Sequence, residues 1–299
     1  MNKLLKRWAL LSGLVAFGFL MGDSVYAQMQ TEDAKHVPGD GAAKDLFGDA
    51  VAVSGNLAII GAPGDDVVST FRSNNGTVYQ VRAGSVYFYE FDGVNWNPNG
   101  KMVASNRTGR QHSSTMNYGQ AISLLGNRLL IGSPGYDVPR NNGAEIDEGT
   151  VYAYEYDGNN WNQVGANFNP ASKRPGFYMG NKISQSGDRA LISAHGWQDN
   201  GIGGAVGGAY IYDYNAATHA WTESAILRPS DRAAKDNFGI GVSLSGDRAA
   251  IGKAFDDDKG TDSGSMYIFE YNGSSWVETV KFTANDGSAG AFFGHDVLL

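Results

Sequence analysis

The 299-residue chain contains no cysteine. No disulfide can staple it and no thiolate chemistry is open to it, so its stability rests on a packed core. Charged residues are scarce, at 18%, and unbalanced: 23 Lys and Arg stand against 31 Asp and Glu, a net charge of −8. Such a surface repels nucleic acid and anionic membranes and suits cations or neutral ligands such as glycans. Beyond Met21 no stretch is apolar enough to cross a bilayer as a helix. The histidines His36, His112, His195, His219 and His295 are scattered, with no pair at zinc-binding spacing. There is no G-x-S-x-G nucleophile elbow. The glycine-rich run from Gly201 to Gly208 misses a dinucleotide-binding spacing, because Val206 stands where its last glycine belongs.

The N-terminus reads as a signal peptide over residues 1–27. Lys3, Lys6 and Arg7 form a basic start, Trp8 to Met21 is a mostly apolar run too short to span, and Val25-Tyr26-Ala27 is a small-x-small cleavage site. The expectation is an exported chain beginning at Gln28, whether secreted, periplasmic or held at the cell surface. Three basic residues and Asp23 leave with the leader, so the remainder carries −10.

What the chain has in abundance is β-strand and turn chemistry, with 41 glycines and 12% aromatic residues. It is arranged as a repeat. Aromatic-or-Met-plus-glycine anchors occur at Phe47-Gly48, Tyr118-Gly119, Met179-Gly180, Phe238-Gly239 and Phe293-Gly294. Seven residues past each of the first four glycines comes a turn pair: Gly55-Asn56, Gly126-Asn127, Gly187-Asp188 and Gly246-Asp247. Thirteen residues past them come Gly61-Ala62-Pro63, Gly132-Ser133-Pro134, Ser193-Ala194-His195 and Gly252-Lys253-Ala254. The units run at about 36–101, 102–166, 167–225 and 226–281, with a partial fifth at 282–299.

In the fourth unit the alternation predicts strands over 239–245, 248–252, 264–271 and 276–282, with turns at Gly246-Asp247 and Asn272-Gly273. Third strands recur at 84–91, 149–156 and 208–214, followed by Trp96, Trp161 and Trp221, as Trp276 follows in the fourth. Four antiparallel strands per unit make an all-β, propeller-like array. Two connections in each unit are short and nearly constant. The second-to-third connections (64–83, 135–148, 196–207, 253–263) and the fourth-to-first vary. In an up-down blade both variable sets fall at one face, where binding sites usually sit.

The aromatic-glycine pair followed by Gly-Ala-Pro resembles the FG-GAP repeat of integrin α-subunit propellers and of many bacterial exported proteins, over nearly all of residues 36–299. The resemblance implies a β-propeller that binds partners outside the cell. Integrin-like repeats often carry a calcium loop between the FG and GAP strands. Here that place holds only two-residue turns, too few for the six to eight oxygens that Ca²⁺ takes, so those calcium sites do not carry over. The sequence stops inside the fifth unit's first strand. The expectation is a truncated or open-ended array whose raw strand edge invites self-association.

Two loops hold the candidate site residues. In the third unit His195, Trp197 and Asp199 place a non-repeating tryptophan beside polar groups; this reads either as a ligand contact or as a loop tryptophan tucked against its own blade. In the fourth, Asp256, Asp258 and Asp262 are the metal candidates, although the same loop reads more readily as a solvated acidic segment. No cofactor is expected, with Ca²⁺ entering only through that loop. The repeated tryptophans read as packing between blades. The functional expectation is a binding or adhesion module for an extracellular protein or glycan, with enzymatic activity left open and disfavoured. The alternatives are a polysaccharide-acting enzyme on the same scaffold and a structural array in an envelope assembly.

Overall fold

The computed structural model describes residues 35–66, 71–72, 78–79, 83–105, 116–136, 148–168, 176–199 and 201–299. The leader at 1–27 lies outside them. The described residues contain strands and turns but no helix, so none is long and apolar enough to cross a membrane.

The first unit contributes β1 (Val51–Ser54), β2 (Leu57–Ala62), a short ribbon of β3 (Phe71–Arg72) and β4 (Val78–Tyr79), then β5 (Ser85–Phe91) and β6 (Trp96–Met102). The second contributes β7 (Ala121–Leu125), β8 (Arg128–Ser133), β9 (Thr150–Tyr156) and β10 (Trp161–Gln163). The third holds β11 (Ile183–Ser186), β12 (Arg189–Ala194), a second ribbon of β13 (Gln198–Asp199) and β14 (Ile202–Ala205), then β15 (Gly208–Asn215) and β16 (Ala220–Leu227). The fourth holds β17 (Val242–Ser245), β18 (Arg248–Lys253), β19 (Ser265–Tyr271) and β20 (Trp276–Phe282). Each unit is one four-stranded antiparallel sheet whose strands pair in chain order, for example β1-β2-β5-β6. These sheets are propeller-like blades. Inner strand β1 packs beside β7, β7 beside β11 and β11 beside β17, and no comparable packing joins β17 back to β1. Among the described residues the array is not closed.

The turns follow from the residues at their tips. Gly55, Gly126, Gly187 and Gly246 all have φ between 56° and 60°, and each begins a two-residue turn in which the first central residue needs positive φ. The Asp-Gly pairs sit inside longer loops than the two-residue turns expected of them. Phe91 pairs with Trp96, so the loop has four residues, and the Asp92 carboxylate closes it by accepting the N–H groups of Val94 and Asn95 at 2.8 and 2.7 Å. Asp157 and Asn272 do the same in the second and fourth blades. Pro98, which has no N–H to give, sits on the outermost strand next to a register shift.

Successive residues of a strand point to opposite sides, so each middle strand feeds two cores. Leu129 and Ile131 of β8 join Ile59, Val86 and Phe88 of the first blade, whereas Leu130 joins Phe177, Met179 and Ile192 of the third. Likewise Leu191 packs with Phe238 and Ile251, while Ala190 and Ile192 face the second blade. The anchors Tyr118, Met179 and Phe238 are wholly buried between blades. Phe47, with no blade packed before it among the described residues, lies edge-on against Tyr87 at 5.4 Å.

The thirteen-residue spacing has a direct cause. Gly48, Gly119, Gly180 and Gly239 each donate their N–H to the carbonyl of the residue thirteen positions on, at 2.8–3.0 Å. The backbone of the next blade then lies so close that a Cβ on Gly61, Gly132 or Gly252 would collide with the carbonyl of Gly119, Gly180 or Gly294. The repeated tryptophans bind blades together from the opposite end. Trp161 stacks on Phe88 of the first blade, and Arg128 and Arg189 lie over the Tyr214/Trp221 and Tyr271/Trp276 pairs of the blade that follows each.

Candidate functional site

Antiparallel order brings the end of the second strand, the start of the third, the end of the fourth and the lead into the next blade to one end of every blade. At that end of the fourth blade the GAP-type segment runs Gly252-Lys253-Ala254 and turns through Phe255 to Asp256. Asp256 is 4% exposed; Ser265, the first residue of β19, donates to it at 2.5 Å. Lys281, near the end of β20, reaches in from the outer edge. Its Nζ lies 2.5 Å from Asp231, 2.8 Å from Asp256 and 2.5 Å from Asp258. Tyr267, also on β19, donates to Asp231 at 2.7 Å. Lys253, which replaces the alanine of the GAP motif, is 1% exposed and pairs with Asp236 at 2.7 Å. Four carboxylates thus share two ammonium groups: Asp231 and Asp236 come from the lead into β17, Asp256 and Asp258 from the connection between β18 and β19, and the two lysines from β18 and β20.

The electrostatics follow from that geometry. Burial drives the Asp231 carboxyl upward, but the hydrogen bonds from Lys281 and Tyr267 and the charge of Lys253 outweigh it and hold the group down at about 2. Asp256 is lowered in the same way: burial opposes, and Lys281 and Ser265 prevail. Burial pushes the Tyr267 phenol up to about 12, so it serves as a donor throughout the neutral range. The first blade carries a smaller version. Lys101 Nζ lies 2.6 Å from both Asp40 and Asp65, and Ser85 and Tyr87 donate to Asp65 at 2.5 and 2.8 Å.

Of the metal candidates, Asp256 and Asp258 meet, and Asp262 does not join them. The third carboxylate is Asp231, from the lead into the fourth blade; the three ligand oxygens lie within 4.8 Å of one another. Asp262 has φ 55° and its N–H donates to Asp257 Oδ1, closing the loop on itself. Lys281 Nζ takes the central position that a cation would need, so the donor set does not fit Ca²⁺ while that ammonium stays. Asp231 and Lys281 escape a reading confined to one loop. The signal that finds them is the alignment of unit one on unit four, where Asp40/Asp231, Asp65/Asp256, Ser85/Ser265, Tyr87/Tyr267 and Lys101/Lys281 all coincide.

In the third blade the structure separates the trio. Trp197 is only 7% exposed and belongs to the core, with the Arg228 guanidinium 4.0 Å above its ring. This differs from a solvent-facing contact. Trp197 stands at the position of Asp65 and Asp256, where the chain turns back into the sheet, and an indole there is covered by the next strands. Asp199 lies at the loop end in β13 and pairs with Arg232 at 3.0 Å. His195 is partly buried, stacked on Tyr178 at 5.4 Å with 9° between the planes; burial holds its pKa down at about 4, so the ring is neutral. A separate cavity of about 270 Å³ lies at the opposite, hairpin end between blades three and four, walled by Arg189, Asp213, Tyr271 and Trp276.

Comparison with known families matches this chain to the FG-GAP repeat over residues 30–89 and 221–269. No curated protein matches it.

Proposed function

Because this chain is an FG-GAP repeat protein, we propose that it is an exported binding module that docks an extracellular protein or glycan through the loop end of its blades. The reading is carried by one observation: the strand order gathers every short hairpin at one end and every variable connection at the other. A rigid sheet stack with variable loops at a single end is the arrangement of a recognition surface. Export rests on the leader over residues 1–27. Many of the charges at the loop end are spent on one another, in the Lys281, Lys253, Lys101 and Arg232 pairs. Docking therefore relies on aromatic contact and neutral hydrogen bonds, with no covalent step and no call on a metal. Hydrolysis of a polysaccharide would need two carboxylates free to act, and the three that converge here all converge on Lys281.

The test is surface plasmon resonance of the exported chain against a panel of extracellular glycans and proteins. For any ligand found, Asn117→Gly and Asn237→Gly at the loop end, which keep the positive φ and remove the amide, should weaken binding by about tenfold. Asp92→Ala and Asp157→Ala at the hairpin end should leave it within about twofold. Loss through the hairpin-end substitutions instead, or retention of the chain inside the producing cell, would sink the proposal.

A further inference from the structure

All five units hold the residue before the aromatic-glycine anchor in the left-handed region. The φ values are 57° at Leu46, 54° at Asn117, 52° at Tyr178, 52° at Asn237 and 50° at Phe292. Asparagine tolerates this conformation; leucine, tyrosine and phenylalanine do so only under strain, and glycine, which would relieve it, is used at none of the five. The strain is not repaid by burial, since Leu46, Tyr178 and Phe292 are 58%, 37% and 40% exposed. Each unit thus keeps a side chain at one repeated place on the loop end, alternately apolar and amide. Backbone strain retained without burial points to a use of the side chain.

Tyr178 is the best built of these. Its ring lies parallel to the half-buried His195 imidazole. It also rests against Gly196, where a Cβ would run into the Gly176 carbonyl and come within 3.0 Å of the Tyr178 ring. The absent side chain lets the tyrosine lie flat on the turn. At this loop end Asp199 is paired with Arg232, and in the fourth blade Asp256 is paired with Lys281. An anionic ligand would meet an acidic chain of net charge −8, and a cationic one would have to break existing ion pairs. A neutral polyhydroxyl ligand meets a fixed aromatic plane for its C–H face and amides for its hydroxyls.

We propose that Tyr178, backed by His195, is a stacking platform for a neutral saccharide, with Asn117 and Asn237 at the same place in the flanking blades supplying hydrogen bonds to its hydroxyls. This assignment rests on the loop end being the docking end.

The decisive variant is Tyr178→Asn. Asparagine occupies this position natively in two blades, so the variant should melt no lower than the parent. The probes are cellohexaose, maltohexaose and mannohexaose, with polygalacturonate as the charged control, measured by calorimetry on the full exported chain. At least one neutral hexaose should bind and polygalacturonate should not. Tyr178→Asn should weaken that binding by about tenfold and Tyr178→Phe should retain it within about twofold, because the ring face and not the hydroxyl makes the contact. Wild-type affinity in Tyr178→Asn, or binding of polygalacturonate alone, overturns the proposal. If no hexaose binds but an extracellular protein does, and loop-end substitutions abolish that binding, the docking end stands and the saccharide assignment falls.

Discussion

The first and fourth blades fill the same slot differently from the second and third. Four residues past the second small-residue site the sequence reads Asp65, Tyr136, Trp197 and Asp256. In blades one and four the aspartate is buried, takes a short hydrogen bond from Ser85 or Ser265, and meets the ammonium of Lys101 or Lys281. In blade two Tyr136 lies edge-on to Tyr152 at 6.5 Å, and Thr150 turns its hydroxyl to the Phe168 carbonyl instead. In blade three Trp197 sits beneath Arg228, and Gly208 stands where the serine would be. The backbone is the same in all four. The slot holds a carboxylate where its serine and lysine are present, and an aromatic ring where they are not; the tyrosine, as Tyr87, Tyr152, Tyr210 and Tyr267, is common to all four. That is what burial demands: a charge must arrive with its partners, whereas an aromatic ring needs only contact. The two family matches take in Asp65 and Asp256 and stop within β5 and β19, short of Lys101 and Lys281.

The largest effect should come from emptying the aromatic version. Trp197→Ala removes an indole that is 7% exposed and leaves a cavity, at a cost of about 3–5 kcal/mol. Trp161→Ala, at a repeated tryptophan that is only partly buried, should cost about 1–2 kcal/mol, because part of its surface is already wet. Urea denaturation of the two variants decides it; a larger loss at Trp161 would mean the slot is not a packing site.

That contrast also marks how far the sequence could be read. The strands were legible because period-two alternation and β-branched or aromatic content survive in every unit. The third and fourth strands of blade four are found at Ser265–Tyr271 and Trp276–Phe282, within a residue of the boundaries expected. The hairpin ends were legible because Gly, Asp and Asn act locally. Burial of Trp197 was not, since a tryptophan in a variable loop looks the same whether the next strands cover it or leave it open. Nor was the meeting of Asp231 with Asp256 and Lys281. Nothing near Lys281 in the sequence distinguishes it from a solvated lysine on an edge strand; only its recurrence as Lys101 does.

The polar version can be broken from the side of its cation. Lys281→Met leaves Asp256, 4% exposed, beside two other carboxylates with only the Lys253 ammonium, 3.6 Å away, to offset them, and should cost about 3 kcal/mol. Lys101→Met should cost less, about 1–2 kcal/mol, because Asp40, at 54% side-chain exposure, can turn to water. Equal losses in the two variants would mean that the number of carboxylates around each lysine is immaterial.

The smallest effect is in acid. The Asp231 carboxyl titrates at about 2 in the folded chain, below its value of about 3.9 when unfolded. Its contribution to stability is therefore complete above about pH 4 and is lost as the pH falls from there toward about 2. Asp256 is shifted in the same direction and adds to the same acid arm. The Asp231 side chain is 41% exposed, and solvent screening limits its share to about 1 kcal/mol or less. Lys281→Met removes the leading hydrogen bond that lowers both groups, so stability should fall less between pH 4 and 2 in that variant than in the parent, although it starts lower. Urea midpoints at pH 6, 4 and 2 measure the difference. Parallel acid arms in the two proteins would assign the acid sensitivity to carboxylates elsewhere and leave the lysine a purely steric filler of its slot.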